Sequence, residues 1–162
     1  MPGDESLPEA LRSIHTRPLF TLRLKVRPIV AVGATPGAHR RIGLVSGGTF
    51  AGERLRGEVL DGGSDWLADR ADGATTLDVR LILRTADGAL IAMTYRGIRH
   101  GPPDAMRKLS AGEPVAPDSY YFRIAPLFET AAPQYGWLNR VLAIGIGDRP
   151  PEGPVYNIFE IL

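Results

Sequence analysis

Short apolar runs, separated by glycine and proline, set the strongest limit on the fold of this chain. Its 162 residues include 19 Gly and 14 Pro, which are spread between the runs and are not gathered in one segment. This punctuation is typical of an all-β protein with many turns. Helical patterns of about 10–15 residues do not occur between the runs, so a parallel α/β sheet is not expected.

Alternation of apolar and polar residues predicts eight strands. The clearest hairpin turn is Ala86-Asp87-Gly88, because glycine accepts the positive φ that such a turn requires. Eight antiparallel strands can close into a barrel, which removes exposed edges. We therefore predict an all-β fold, an antiparallel up-and-down β-barrel of about eight strands, with a β-sandwich as the alternative. The predicted strands are 19–30, 40–46, 50–60, 76–86, 89–97, 119–128, 138–147 and 154–162.

The start of the chain predicts a short helix. Ser6-Leu-Pro-Glu9 matches a capping box, and Ala10, Leu11 and Ile14 follow it. A second helical turn is predicted near 104–109, after two prolines. We expect residues 1–17 to form an N-terminal helical extension and residues 18–162 to form a single barrel domain.

Composition and charge exclude several classes of function. Lys plus Arg number 19 and Asp plus Glu number 18, a balance that argues against binding to nucleic acid. The absence of cysteine excludes disulfides and thiolate catalysis. Neither a signal peptide nor an apolar stretch of roughly 20 residues is present, so we predict a cytoplasmic protein with no membrane partner.

Motifs for metals and cofactors are also missing. His15, His39 and His100 lack the spacing of metal ligands. The glycines of 33–37 lack the ending of a phosphate loop, and those of 145–147 lead into a turn and not a helix. We predict neither a metal nor a cofactor.

Several strands have one bulky apolar face and one small or polar face. In 77–84, four apolar residues at odd positions alternate with Asp78, Arg80, Ile82 and Arg84. In 138–146, bulky residues alternate with Asn139, Val141, Ala143 and Gly145. The bulky face could form the core, or the small and polar face could line a cavity for one ligand. Alternation alone leaves both arrangements open.

Four ordered segments resemble the domain of unknown function 3237 family, also called uncharacterised protein family 0311. They are GGSDWL, LDVRLILRTADGALIAMTYRG, YYFRIAPLFET and YGWLN, and the resemblance covers roughly residues 18–162. It implies a small antiparallel β-barrel, names no reaction, and favours a cavity lined by the polar face. The positions that match the family are Gly63, Asp65, Trp66, Asp78, Arg80, Asp87, Gly88, Gly97, Phe122, Arg123, Phe128, Glu129, Trp137, Leu138 and Asn139.

The remaining polar residues suggest acid/base chemistry on a small aromatic or carbonyl-bearing metabolite, as in an isomerase, cyclase, lyase or addition enzyme. Asp65 or Asp78 would be the acid/base. Arg80 and Arg123 would hold an anionic or enolate oxygen. The predicted substrate-binding residues are Trp66, Tyr95, Tyr121, Glu129, Trp137 and Asn139.

Two alternatives stay open at this point. The same pocket could serve a binding or carrier protein without chemistry, or the acid–arginine pairs could only fix strand register or an oligomer interface. An exposed bulky strand face would favour a homo-oligomer, and a dimer is predicted on that basis.

Overall fold

A computed structural model describes residues 7–162 and consists mainly of β-strands. Helical structure in these residues comprises one α-helix, α1 (Pro103–Ser110), and 3-10 segments at Glu9–Leu11, Pro117–Ser119 and Pro133–Arg140. The strands are β1 (Thr16–Val26), β2 (Val30–Ala34), β3 (His39–Ala51), β4 (Arg56–Val59), β5 (Gly63–Asp69), β6 (Thr75–Thr85), β7 (Leu90–His100), β8 (Tyr121–Glu129), β9 (Ala143–Asp148) and β10 (Val155–Ile161).

Eight of these strands form a closed antiparallel barrel. Their order is β1, β10, β9, β8, β7, β6, β5 and β3, and the pairing of β3 with β1 closes the ring. Strands β4 and β5 both lie between β3 and β6. Strand β4 pairs with the C-terminal part of each, and β5 pairs with the N-terminal part. Strand β2 pairs with β3 at the rim. The predicted up-and-down barrel is confirmed, and β2 and β4 are additions to it.

The bulky face of most strands points into the barrel. On β6, Leu77, Val79, Leu81 and Leu83 are buried, whereas Asp78, Arg80 and Ile82 are exposed. On β8, Phe122, Ile124 and Phe128 are buried. Each large apolar side chain removed from water stabilises the fold by roughly 1.5–3 kcal/mol, which outweighs any polar lining. The family resemblance favoured a cavity lined by the small and polar face. For β6 that prediction is wrong.

Strand β9 is the exception, because its small residues point inward. Ala143 is buried, while Leu142, Ile144 and Ile146 are exposed. The inward glycines nevertheless leave no room for a ligand. A Cβ on Gly145 would lie 2.6 Å from Cγ1 of Ile124, and a Cβ on Gly147 would lie 2.6 Å from Cδ1 of Phe122. Side chains of the neighbouring strand β8 fill that part of the barrel.

Local predictions were right where turn chemistry was explicit. The hairpin at Ala86-Asp87-Gly88 joins β6 to β7, and Gly88 has φ +89°. The helical turn near 104–109 corresponds to α1, which begins at Pro103. Of the predicted N-terminal helix, Ser6 lies outside the described residues, and a 3-10 turn spans Glu9–Leu11.

Two local predictions differ from the structure. Strand β2 was not predicted, and residues 138–140 belong to a 3-10 segment and not to a strand. The segment GGSDWL, which lies between predicted strands, enters strand β5 at Gly63. Within residues 7–162, no helix combines the length and the apolar character needed to cross a bilayer.

Candidate functional site

A cavity of about 160 Å³ lies inside one end of the barrel, which we call the barrel-mouth cavity. It lies where β1, β5, β7 and β9 end and where β3, β6 and β10 begin, and the last turn of α1 contributes Leu109 and Ser110 to its wall. A cavity of this size is close to one that holds a single benzene ring, roughly 150 Å³. Its polar side chains include Asp65, Tyr95, Tyr156 and Arg99.

Asp65 points into this cavity because it keeps the inward period of its own segment. Val59 on β4 and Gly63 and Leu67 on β5 are buried, and they occupy odd positions like Asp65. The pairing with β3 shifts by one residue between the two strands, since Gly48 pairs with Val59 but Val45 pairs with Gly63. Asp65 then lies opposite Gly43 and Val79, and Val79 is 0% exposed.

The glycines of GGSDWL allow the chain to pass from β4 into β5 at this point. Gly62 has φ +113°, a conformation that few other residues adopt without strain. A Cβ on Gly63 would lie 2.7 Å from the carbonyl oxygen of Arg80. The two glycines therefore permit the turn and the close approach of β5 to β6 just before Asp65.

The Asp65 carboxyl group is poorly compensated. Its Oδ1 atom is buried and has no hydrogen-bond partner among residues 7–162. Burial raises the pKa of Asp65 to about 7, while the backbone of Asp78 and the positive charges of Arg99 and Arg41 oppose that rise. Near neutral pH the carboxyl group is thus present in both its neutral and its ionised forms.

Two tyrosines lie beside Asp65. Tyr95 on β7 pairs in register with Val79, the residue next to Asp65 across the sheet. The rings of Tyr95 and Tyr156 are 5.5 Å apart and meet edge to face. Burial raises the pKa of Tyr95, and the neighbouring Tyr156 and Asp65 raise it further. Burial also raises the pKa of Tyr156. Both phenols therefore stay protonated and can act as hydrogen-bond donors.

Three arginines line the barrel-mouth cavity, and they differ in their hydrogen-bond partners. Arg41 is held by Asp69 through hydrogen bonds of 2.7 and 2.8 Å. Arg149 donates from Nη1 to the carbonyl oxygen of Pro150 at 2.7 Å. Arg99 is 9% exposed, its Nε has no hydrogen-bond partner among residues 7–162, and burial lowers its pKa. Its guanidinium lies 5.2 Å from the centre of the Phe122 ring.

Asp69 keeps Arg41 in place. Burial acts to raise the pKa of Asp69, but hydrogen bonds from Arg41, Thr75 and His39 lower it to about 2. The carboxylate is thus ionised at neutral pH, and it neutralises the charge that Arg41 brings to the cavity rim.

The structure divides the residues predicted for the site into three groups, two of which line a cavity or groove. Asp65 and Tyr95 lie in the barrel-mouth cavity. Trp66, Asp78, Tyr121 and Arg123 lie on the outside, along an open groove of about 540 Å³, which we call the outer groove. Trp66 is 50% exposed, and the Arg123 guanidinium lies 4.8 Å from the centre of the Tyr121 ring.

The other predicted residues lie away from both spaces. Arg80 and Glu129 are exposed. The guanidinium of Arg54 lies over Trp137, 4.2 Å from the centre of its ring. The side chain of Asn139 forms two hydrogen bonds with the backbone of Thr130. It donates to the carbonyl oxygen at 2.9 Å and accepts from the amide at 2.8 Å.

Four charged or aromatic residues of the cavity were not predicted as site residues: Arg41, Arg99, Arg149 and Tyr156. A signal existed for Arg99, because the inward alternation of Met93 and Tyr95 continues through Gly97 to Arg99, two residues past the predicted strand end. Tyr156 follows the same period as the buried Ile158. Arg149 comes from a loop and has no such signal.

The dimer stays a prediction. Exposed apolar side chains on β5, β7, β8 and β9 offer it a surface, and they include Trp66, Ile98, Tyr121, Ile144 and Ile146.

Comparison with known proteins gives one consistent family. The family model described as "Protein of unknown function (DUF3237)" matches residues 14–161. A UPF0311 protein of Rhodopseudomonas palustris is 34% identical over 150 residues, which cover 93% of this chain and 98% of the relative. Its crystal structure superposes with a TM-score of 0.87 over the same shares of both chains.

Two further proteins extend the comparison. The crystal structure of a β-barrel-like protein from Acinetobacter baumannii is 34% identical, has a TM-score of 0.82, and covers 97% of this chain and 99% of its own. The hydroalkoxylation enzyme phnH of Penicillium herquei is 28% identical over 142 residues, which cover 88% of this chain and 78% of that enzyme.

Proposed function

We propose that this chain, which belongs to the DUF3237 family, is a cofactor-independent enzyme that moves protons on a small aromatic or carbonyl-bearing molecule in the barrel-mouth cavity. The observation that carries this proposal is Asp65, half-buried in a ring-sized cavity with its buried Oδ1 atom unpartnered among the described residues. An unpartnered buried carboxyl oxygen is costly for folding, so its presence favours a chemical role.

The acidity of Asp65 suits that role. A general acid or base is most effective when its pKa lies near the working pH, because both protonation states are then accessible. Burial brings the pKa of Asp65 to about 7. The protonated phenols of Tyr95 and Tyr156 add hydrogen-bond donors for a substrate oxygen beside it.

An addition reaction is the class that one relative favours, since phnH of Penicillium herquei is named a hydroalkoxylation enzyme. In such a reaction a hydroxyl group adds across a carbon–carbon double bond. In this cavity, protonated Asp65 would give its proton to one alkene carbon, and the hydroxyl oxygen would form the new C–O bond at the other. The hydroxyl proton would return to the Asp65 carboxylate, so that the product is an isomer of the substrate.

The test is turnover of 2-allylphenol and a panel of small unsaturated phenols and ketones, followed by NMR. We expect cyclised or isomerised product from the wild-type protein and none from Asp65→Asn. Asp61→Asn is the matched control, because Asp61 is an exposed aspartate paired with Arg27. Circular dichroism spectra of all variants verify that the barrel is intact.

The outcomes separate the alternatives. Unchanged turnover in Asp65→Asn overturns the proposal. Loss of turnover in Asp78→Asn with retention in Asp65→Asn moves the reaction to the outer groove. Saturable binding without turnover of any compound in the panel supports a carrier protein.

A further inference from the structure

The barrel-mouth cavity contains more positive than negative charge. Its charged side chains are Arg41, Arg99, Arg149 and Asp65. Asp69 neutralises Arg41, and the ion pairs among residues 7–162 include neither Arg99 nor Arg149. Two guanidinium groups therefore face one carboxyl group, which is itself partly neutral near pH 7.

Arg99 is the less compensated of the two arginines. It is 9% exposed and its Nε is buried without a hydrogen-bond partner among residues 7–162. A buried guanidinium normally pairs with a carboxylate, because its desolvation is otherwise uncompensated. The Phe122 ring at 5.2 Å offers a cation–π contact, but this contact supplies no hydrogen-bond acceptor.

The end of α1 lines the same cavity through Leu109 and Ser110. Among residues 7–162, it provides no hydrogen-bond partner for Nε of Arg99. A guanidinium is a planar fork of donors, the geometry that binds a carboxylate through two parallel hydrogen bonds.

We propose that the molecule bound in this cavity carries a carboxylate, which Arg99 binds and Arg149 supports, while its unsaturated or aromatic part lies against Asp65 and Tyr95. This inference rests on the proposed function in that it takes the barrel-mouth cavity as the active site. It adds the substrate class: a small unsaturated or aromatic carboxylic acid.

The positions of the two groups fit such a molecule. Tyr95, in the same row as Asp65, is four residues before Arg99 on β7, roughly 13 Å along the strand. Asp65, Tyr95 and Arg99 nevertheless line one cavity, and its volume of about 160 Å³ holds one ring. A carboxylate attached to that ring would lie toward the end of the cavity that Arg99 lines.

The test compares benzoate with its neutral analogue benzamide by isothermal titration calorimetry at pH 6. We expect benzoate to bind more tightly than benzamide, and Arg99→Met to weaken benzoate binding by about tenfold or more, the loss typical of a charged hydrogen-bond pair. Arg96→Met is the matched control, because Arg96 lies on the same strand but its side chain is 85% exposed. Arg149→Gln is a second variant if Arg99→Met does not fold, with a smaller loss of benzoate affinity expected.

Four results would overturn the proposal that the bound molecule carries a carboxylate. Equal affinity for benzoate and benzamide, full benzoate affinity in Arg99→Met, or no benzoate binding at millimolar concentration overturns the inference. Equal losses in Arg99→Met and Arg96→Met also overturn it, since they indicate nonspecific attraction. Turnover of neutral substrates that depends on Asp65 but not on Arg99 would leave the proposed function standing while this inference fails.

Discussion

Asp65 and Arg99 point into one cavity from strands β5 and β7, yet they do not form an ion pair. Each has a buried side-chain atom without a hydrogen-bond partner among residues 7–162. A direct pair would satisfy both groups and stabilise the fold. Without that pair, one ring-sized cavity has an acid and a cation in its lining.

The acidity of Asp65 predicts an unusual dependence of stability on pH. Its pKa is raised in the folded protein to about 7, from 3.8. The folded state therefore holds this proton more tightly than the unfolded state, so the contribution to stability is complete below about pH 4 and is lost as pH rises to about 7. The linked change amounts to about 4 kcal/mol.

Chemical denaturation between pH 5 and pH 8 measures this effect. Asp65→Asn removes the titrating group, so its free energy of unfolding should fall less than that of the wild-type protein over this range. Asp61→Asn, at an exposed site, should keep the wild-type slope. Parallel wild-type and Asp65→Asn curves would mean that the pKa of Asp65 is not raised.

Replacement of Arg99 by an apolar residue should stabilise the protein. The guanidinium is buried without a carboxylate partner among the described residues, and methionine fills a similar volume without a charge. We expect Arg99→Met to raise the free energy of unfolding by about 1 kcal/mol. Urea denaturation at pH 7 measures the difference, and a loss of stability would show that Arg99 contributes to the fold beyond its contact with Phe122.

The architecture of the barrel could be predicted from the sequence, because alternation and turn chemistry act locally. The Asp87-Gly88 hairpin and the strand runs are sufficient to indicate an antiparallel barrel. The direction of each face could not be predicted in the same way. On β6, packing of large apolar residues decides it, whereas on β9 the inward glycines make way for Phe122 and Ile124.

The site was harder to predict, because it depends on register. Val59, Gly63 and Asp65 share one inward period, but it crosses the turn at Asp61 and Gly62 and is visible only once β5 is paired with β3 and β6. Tyr95 was predicted as a substrate-binding residue, and it lines the cavity. Arg99 was missed because it follows the predicted strand end, and Asp78 was proposed because its charge alone does not reveal that it faces outward.

Narrowing the cavity should weaken ligand binding while leaving the fold intact. A Cβ on Gly43 would lie 3.2 Å from Cγ1 of Val26 and 3.3 Å from Cδ1 of Ile29, and 3.8 Å from Cβ of Asp65. The two apolar side chains must shift by a few tenths of an ångström. We expect Gly43→Ala to change the free energy of unfolding by no more than about 1 kcal/mol and to weaken benzoate binding several-fold. Calorimetry measures both quantities, and wild-type affinity would place the ligand elsewhere.

The close contact between β8 and β9 predicts a large cost for one added methyl group. A Cβ on Gly147 would meet three ring atoms of Phe122 at 2.6–2.9 Å, and that ring is 1% exposed and packed edge-on against Tyr156. Because the ring cannot move aside, Gly147→Ala should lower the free energy of unfolding by about 1–3 kcal/mol. Gly136→Ala is the control, since a Cβ there has no neighbour within 4 Å among the described residues. Equal melting temperatures for the two variants would show that the interior of the barrel has unused space beside β9.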